Sequence, residues 1–394
     1  MTGPTKPPHA GFPPAQTVAT GLVVAIVGFF SSFPIVLQGV YAMGATDAQA
    51  ASALMMAAIA MGLTAIGLAL WFRAPISVAW STPGAALLAV LAVPEGGFAV
   101  AIGAFVFAGL LCLLAGLWRP IGRFAANIPP ALAQAMLAGV LLPICLAPAR
   151  ALPEIPQFVI PIFLAWLLAG WWNRLAAVPG AVAMTAVLVA WWGGVPDVAM
   201  TGLITVPVWT TPQFTLASAI SIGVPLFIVT MATQNIPGIA ILRSNGFAPP
   251  AGSMLAGVGA ASIISAPFGA HSTCLAAITS AMCAGEESHA DPALRFWSAV
   301  VAGVGYCLFG LFAGLVTAFA ALAPPMVVAS LAGLALMAVL ANAAQAAFTQ
   351  AADRDAAVVT LLITASGITL FGIGSPVWGL LAGAVVYLVR RAPH

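Results

Sequence analysis

A chain of 394 residues that is 62% hydrophobic and only 5% charged lies far from the roughly 25% charged content of soluble domains, which excludes a soluble globular protein. The net charge of +2 is too small for a nucleic-acid-binding face. The apolar runs are Ala- and Leu-rich and roughly 20 residues long, as membrane-crossing helices are, whereas a barrel would alternate in strands of about ten; the expected class is an all-α integral membrane protein.

Residues 1–16 are Pro-rich and read as a cytoplasmic tail without a cleavable leader. Candidate spans follow near 17–40, 49–72, 76–93, 98–118, 128–148, 157–172 and 178–193. Residues 195–216, with the alternating piece Leu203–Trp209, read as a surface connection. A second set lies near 217–240, 251–264, 270–284, 293–320, 325–345, 355–372 and 375–390. The expected architecture is fourteen transmembrane segments, arranged as two repeats over 17–194 and 217–394. Seven crossings per repeat turn the second copy upside down. With the N-terminus in the cytoplasm, ten of the eleven Lys and Arg residues fall on the cytoplasmic side and only Arg150 outside, the bias that the positive-inside rule describes.

Internal echoes support duplication. Ala74-Pro75 followed by Ala79-Trp80-Ser81-Thr82 matches Ala266-Pro267 followed by Ala270-His271-Ser272-Thr273. Pro129-Pro130 with Ala138-Gly139 is echoed by Pro324-Pro325 with Ala332-Gly333, so the offsets run from about 191 to 195 positions.

The third and tenth segments are the ones expected to be broken. Pro75, and Pro267 with Gly269, interrupt apolar runs, because proline lacks an N–H and glycine takes angles other residues avoid. A helix restarting inside the membrane, here expected from about His271, presents free N–H groups and a partial positive charge. Lipid does not tolerate such an end, while a polar cavity or an anion does, and secondary transporters build their sites this way.

No Asp, Glu, Lys or Arg is placed in the middle of a proposed span, although such groups at depth usually mark function. His271 is the one histidine at depth and can change charge near neutral pH. Its bland reading is a core histidine bonded to a carbonyl. Gln234 and Asn235, adjacent in an apolar run, need partners; their bland reading is helix–helix glue. In the first span, Pro34 kinks the helix and Gln38 and Tyr41 follow it. Glu286, Glu287, His289 and Asp291 read as a solvated acidic loop. The five cysteines show no metal-ligand spacing and read as packing residues. No metal or cofactor is expected. An intramembrane enzyme is disfavoured: the spacing puts Cys274 on one helix face with His271, but no carboxylate at depth orients them.

Three stretches resemble the benzoate/proton symporter family: Gln234-Asn235-Ile236-Pro237-Gly238 through Arg243, Ala266-Pro267-Phe268-Gly269-Ala270-His271 with Leu275-Ala276-Ala277-Ile278-Thr279, and Ala365-Ser366-Gly367 through Gly374-Ser375. More distantly, the region is similar to the uracil/proton symporter fold, a seven-plus-seven inverted repeat. That resemblance implies paired short strands before the half-helices of segments three and ten, with the substrate between them. Carried over, Ser81, Thr82, Gly269, Ala270 and His271 would line the site, faced by Gln234 and Asn235. Ser272 and Thr273 would add hydroxyls, Gln38 would face the same cavity, and Tyr41, Trp80 and Phe268 would hold the ring of an aromatic acid. The distant relatives carry acids at positions matching Gln234 and Ala270, and this chain has neither. The resemblance implies benzoate or a similar carboxylate taken up with protons across a bacterial inner membrane. The charge bias puts both termini in the cytoplasm, and His271 is expected to be the proton site or a direct ligand. A channel or exchanger for small inorganic anions is the competing reading, and the sequence leaves a homodimer open.

Overall fold

The computed structural model describes residues 12–118, 120, 129–193 and 204–391. The readings placed on Lys6, His9, Arg119, Arg123 and His394, on most of the tail and on residues 195–203 lie outside the described residues.

The protein is an all-α membrane protein. Nine helices among the described residues are long and apolar enough to cross a bilayer. Broad apolar surfaces, including Leu63, Leu168 and Leu388 at 60%, 59% and 67% exposure, are left without protein cover, as lipid-facing walls are. The first crossing is α1 (Ala15–Phe30) and α2 (Phe33–Ala42), which meet at a Ser31-Ser32 turn with Pro34 just inside α2. Next comes α3 (Asp47–Phe72), started by a Thr46/Gln49 capping box. A short strand β1 (Val78–Trp80) leads into the half-helix α4 (Thr82–Val90) and then α5 (Phe98–Leu117). The first half closes with α6 (Pro130–Cys145), α7 (Ala147–Ala151), α8 (Pro156–Trp172) and α9 (Ala177–Gly193).

The second half opens with α10 (Leu216–Ser244), which widens into π-helical turns at Ala219–Gly223 and Met231–Asn235. After α11 (Ala251–Ser265) the chain makes a single 3₁₀ turn at Ala266–Phe268. It then runs through strand β2 (Thr273–Leu275) into α12 (Ile278–Ala284). The remaining helices are α13 (Phe296–Leu311), α14 (Ala313–Leu322), α15 (Pro325–Ala347), α16 (Arg354–Ala365) and α17 (Ser375–Arg391). A two-residue hairpin, β3 (Thr369–Leu370) with β4 (Ile373–Gly374), precedes α17.

Two sets of helices pack mainly among themselves. In one, α3 lies on α13, α1 on α13, and α5 on α11. In the other, α6 lies on α15 and α16, α16 on α17, and α8 on α9. Small residues allow the close approaches, as in membrane bundles generally. At Gly39, where α2 crosses α4, a Cβ would stand 2.6 Å from the Ala85 carbonyl oxygen, which is backbone and cannot give way. Gly39→Val is therefore expected to cost about 1–3 kcal/mol through overpacking. Thermal unfolding of the purified variant checks this, and an unchanged midpoint would contradict the close fit.

The tenth segment restarts later than its sequence suggests. Pro267 and Gly269 end α11, Gly269 at φ 98 with its Cα face against Ala53. The chain from Ala270 to Ala277 holds no helix, and α12 begins only at Ile278. The reason is non-local: Thr273–Leu275 is claimed by β1, pairing antiparallel as Val78 with Leu275, Ala79 with Cys274 and Trp80 with Thr273. His271 and Cys274 consequently share no helix face.

Candidate anion site at the strand crossing

The β1–β2 pair is extended at both ends by backbone bonds, from Ser81 N to Ser272 O at 2.8 Å and from Ala276 N to Ser77 O at 3.0 Å. Buried backbone must be paired, and this ladder lets two chains pass through the interior without helix. Side chains tie the ends: Ser77 Oγ and Thr279 Oγ1 are 2.7 Å apart.

Each half-helix is then fixed at its start or end. Ser81 caps α4, its Oγ accepting from Gly84 N at 3.1 Å, the usual role of serine before a Pro-containing first turn. The same hydroxyl meets Thr230 Oγ1 at 2.8 Å. Ser81, fully buried, thus spends its hydroxyl on the scaffold. At the far end of α12, buried Arg295 donates through Nη1 to Ala284 O and through Nε to His289 O, both at 2.7 Å. A cation there complements the negative helix end. Glu286 and Glu287, in the same loop, are exposed.

The π-helical turn at Met231–Asn235 delivers two neighbouring amides to one stretch of chain. Asn235 Oδ1 accepts from Leu275 N at 2.8 Å, and Gln234 Oε1 accepts from Ala277 N at 3.4 Å. On an ordinary helix successive side chains diverge strongly; the widened turn brings both to β2 and its exit, and such turns often sit at functional sites. Asn235 is fully buried, and its Nδ2 faces the sulfurs of Met231 and Cys112.

His271 is 1% exposed, with Nε2 at 3.0 Å from the Ser81 carbonyl oxygen. A carbonyl only accepts, so Nε2 carries the hydrogen and Nδ1 presents a lone pair. That Nδ1 is buried and has no hydrogen-bond partner. Among the described residues, the side chains of Gln38, Thr82, Ser272 and Thr273 make no hydrogen bond either. Ser272 and Thr273 border a void of about 10 Å³ shared with Cys112, Thr230, Asn235 and Ser262, room for a single water.

Other expected residues are placed differently. Trp80 is 2% exposed and turned into the scaffold: Nε1 donates to Ser32 Oγ at 2.8 Å, and the ring packs 5.3 Å from Phe29. Phe268 stands at the end of α11, its ring 5.3 Å from Trp209 and its carbonyl accepting from Ser52 Oγ at 2.9 Å. Gly269 packs beside it on α3. Neither Phe268 nor Gly269 is brought to the strand crossing, because the chain after α10's predecessor, residues 204–215, lies over that turn. Thr210 N donates to Pro267 O at 2.8 Å and Val208 N to Ser52 Oγ at 2.8 Å. Tyr41 donates to Asp47 Oδ1 at 3.0 Å at the end of α2. Ala270 is buried beside His271. Sequence reasoning passed over Ser77, Thr279 and Ser262. Ser262 Oγ accepts from Thr273 N at 2.9 Å; the visible signal was a serine recurring in apolar runs beside each break.

With this geometry in place, likeness to known proteins is informative. The profile of the family described as "Benzoate membrane transport protein" (BenE) matches residues 11–389. The chain belongs to the benzoate membrane transport protein family. Its relatives include "Inner membrane protein YdcO" of Escherichia coli (strain K12), 38% identical over 378 residues that cover 95% of this chain and 96% of that one. Another is the "Benzoate membrane transport protein" of Acinetobacter baylyi, 30% identical over 335 residues covering 85% of each. The fold is shared with the transmembrane domain of the cyanobacterial bicarbonate transporter BicA, at TM-score 0.60 and 17% identity over 93% of this chain and 97% of that one. It is shared also with SLC26A9, at TM-score 0.59 and 14% identity over 95% of this chain and 65% of that one. The BenE family member described here thus has a membrane-transporter fold, with its strand pair at the centre of the first helix set.

Proposed function

We propose that this BenE family member imports benzoate or a related aromatic carboxylate together with protons, across a bacterial inner membrane, by alternating access. The observation that carries the reading is the buried, unpartnered Nδ1 of His271 beside the strand crossing. Among the described residues no carboxylate occupies the crossing, so an arriving anion meets no fixed negative charge from them. The N–H and hydroxyl of Thr82 open α4, whose positive end attracts a carboxylate. Gln38, Ser272 and Gln234 supply further polar groups within reach of movement, and Tyr41 an aromatic wall. A proton on Nδ1 and a carboxylate nearby stabilise each other, so the two bind together. His271 thus couples proton and substrate.

The fourteen-segment reading, with repeats 17–194 and 217–394 and a connection at 195–216, belongs to this proposal. So do the cytoplasmic termini. The set holding α1–α5 and α10–α14 forms the core, and the set holding α6–α9 and α15–α17 forms the gate against which it moves. A homodimer would give the gate a fixed platform.

Counterflow of labelled benzoate in liposomes tests the substrate. Benzoate and substituted benzoates are expected to exchange, and chloride and bicarbonate are not. One fold neighbour is a bicarbonate transporter, which makes bicarbonate the pointed competitor. Exchange driven by inorganic anions and indifferent to benzoate would replace this reading with that of a small-anion exchanger.

A further inference from the structure

A second cavity lies away from the strand crossing. It has a volume of about 310 Å³ and lies between α1, α2, α13 and α14 on one side and α9 and α15 on the other. Six phenylalanines line it: Phe29, Phe30, Phe33, Phe309, Phe312 and Phe319. Its one polar side chain, Thr185, donates its hydroxyl to Ala181 O at 2.8 Å in its own helix. Among the described residues, no charge and no free polar side chain therefore faces the cavity. A carboxylate entering it would lose its hydration with nothing in return, at a cost of several kcal/mol. Benzoate as an anion is excluded.

The rings are arranged as aromatic pairs prefer. Phe30 stands edge-on to Phe29 at 5.2 Å, to Phe309 at 5.3 Å and to Phe33 at 6.3 Å. Edges and faces remain for a further ring, and such pairs are worth about 0.5–1.5 kcal/mol beyond area burial. The cavity is about twice the ~150 Å³ of an apolar protein cavity that takes up benzene. Phe312, 46% exposed, stands at its edge, where a molecule dissolved in the bilayer can enter. Phe29 separates the cavity from Trp80 and the strand pair, so the two places are distinct.

We infer that this cavity is a binding site for an uncharged aromatic molecule of one or two rings. The ligand is recognised by ring packing alone. In so far as the helix sets move as proposed above, a ring wedged between α14 and α9 holds them in one arrangement. Neutral aromatics then slow benzoate uptake without competing for the anion site.

The test of binding is independent of transport. The protein in liposomes is irradiated with 3-trifluoromethyl-3-phenyldiazirine, an uncharged single-ring photoprobe, and adducts are mapped by peptide mass. Adducts are expected on α9 and α14 several-fold above those at lipid-facing Leu63 and Leu168, suppressed by excess toluene and unaffected by benzoate. Ala320→Trp, and separately Val182→Phe, fill the cavity and should remove the excess labelling. Labelling no higher than at the lipid-facing leucines would overturn the inference, as would the absence of toluene protection; an acyl chain would then be the occupant. Suppression by benzoate would overturn it too, since the cavity would belong to the substrate. If labelling behaves as expected but toluene leaves benzoate uptake unchanged, the site stands and the proposed movement of α14 against α9 fails.

Discussion

Uptake of labelled benzoate driven by an inward proton gradient is expected to fall at least ~10-fold in His271→Ala, the factor that about 1.4 kcal/mol sets. The variant loses two things at once: the donor to the Ser81 carbonyl and the unpaired Nδ1. His271→Gln separates them. Its amide can still donate toward Ser81 O, but it cannot take up a proton near neutral pH. It is expected to retain benzoate counterflow while losing stimulation by the gradient. Gradient-driven uptake at the wild-type rate in both variants would reduce His271 to a core histidine bonded to a carbonyl.

The second large effect is at Asn235. Asn235→Leu removes the acceptor of Leu275 N at the end of β2 and leaves a buried N–H unpaired. The expected loss of stability is about 1–3 kcal/mol, read as a lower thermal midpoint of the purified protein. Uptake should fall with it, because the register of Val78 against Leu275 positions both half-helices. Gln234→Ala removes only a 3.4 Å bond at a half-buried position and should cost clearly less stability. Equal losses from both would mean that the two amides act merely as general helix glue, without a special place for Asn235.

Much of this was readable from residue types that apolar segments must justify. Pro75, Pro267 and Gly269 announced breaks in segments three and ten. His271 and the Gln234–Asn235 pair stood out because polar groups at depth need partners, and each has one at the strand crossing. The pairing between residues some two hundred positions apart was implied by the resemblance to the uracil/proton symporter fold, but no local sequence signal shows it or its register. A run such as His-Ser-Thr-Cys-Leu-Ala-Ala has no local signal that forbids helix, and it reads as the start of one until β1 is placed beside it. The same limit hid where Trp80 and Phe268 are placed. Trp80 is buried toward Ser32 and Phe29, and Phe268 is held under the connecting stretch by Trp209. Ser81 was expected to offer its hydroxyl to a ligand, and the α4 cap claims it.

The aromatic cavity shows a different limit. Its six phenylalanines come from α1, α2, α13, α14 and, for Phe312, the joint between the last two, and each, taken alone in an apolar span, is an unremarked lipid-facing or core residue. Only packing gathers them.

The central claim is that an anion and a proton bind together at the strand crossing, the proton on His271. The neutral acid form of benzoate can cross a bilayer unaided, so the cleanest measurement needs no membrane gradient. Purified protein in weakly buffered detergent solution is mixed with benzoate in the presence of a pH indicator. Wild-type protein is expected to take up protons from solution as benzoate binds, and His271→Gln to bind benzoate with little or no proton uptake. Equal proton uptake by the two proteins, or benzoate binding to the wild type with none, would contradict the account.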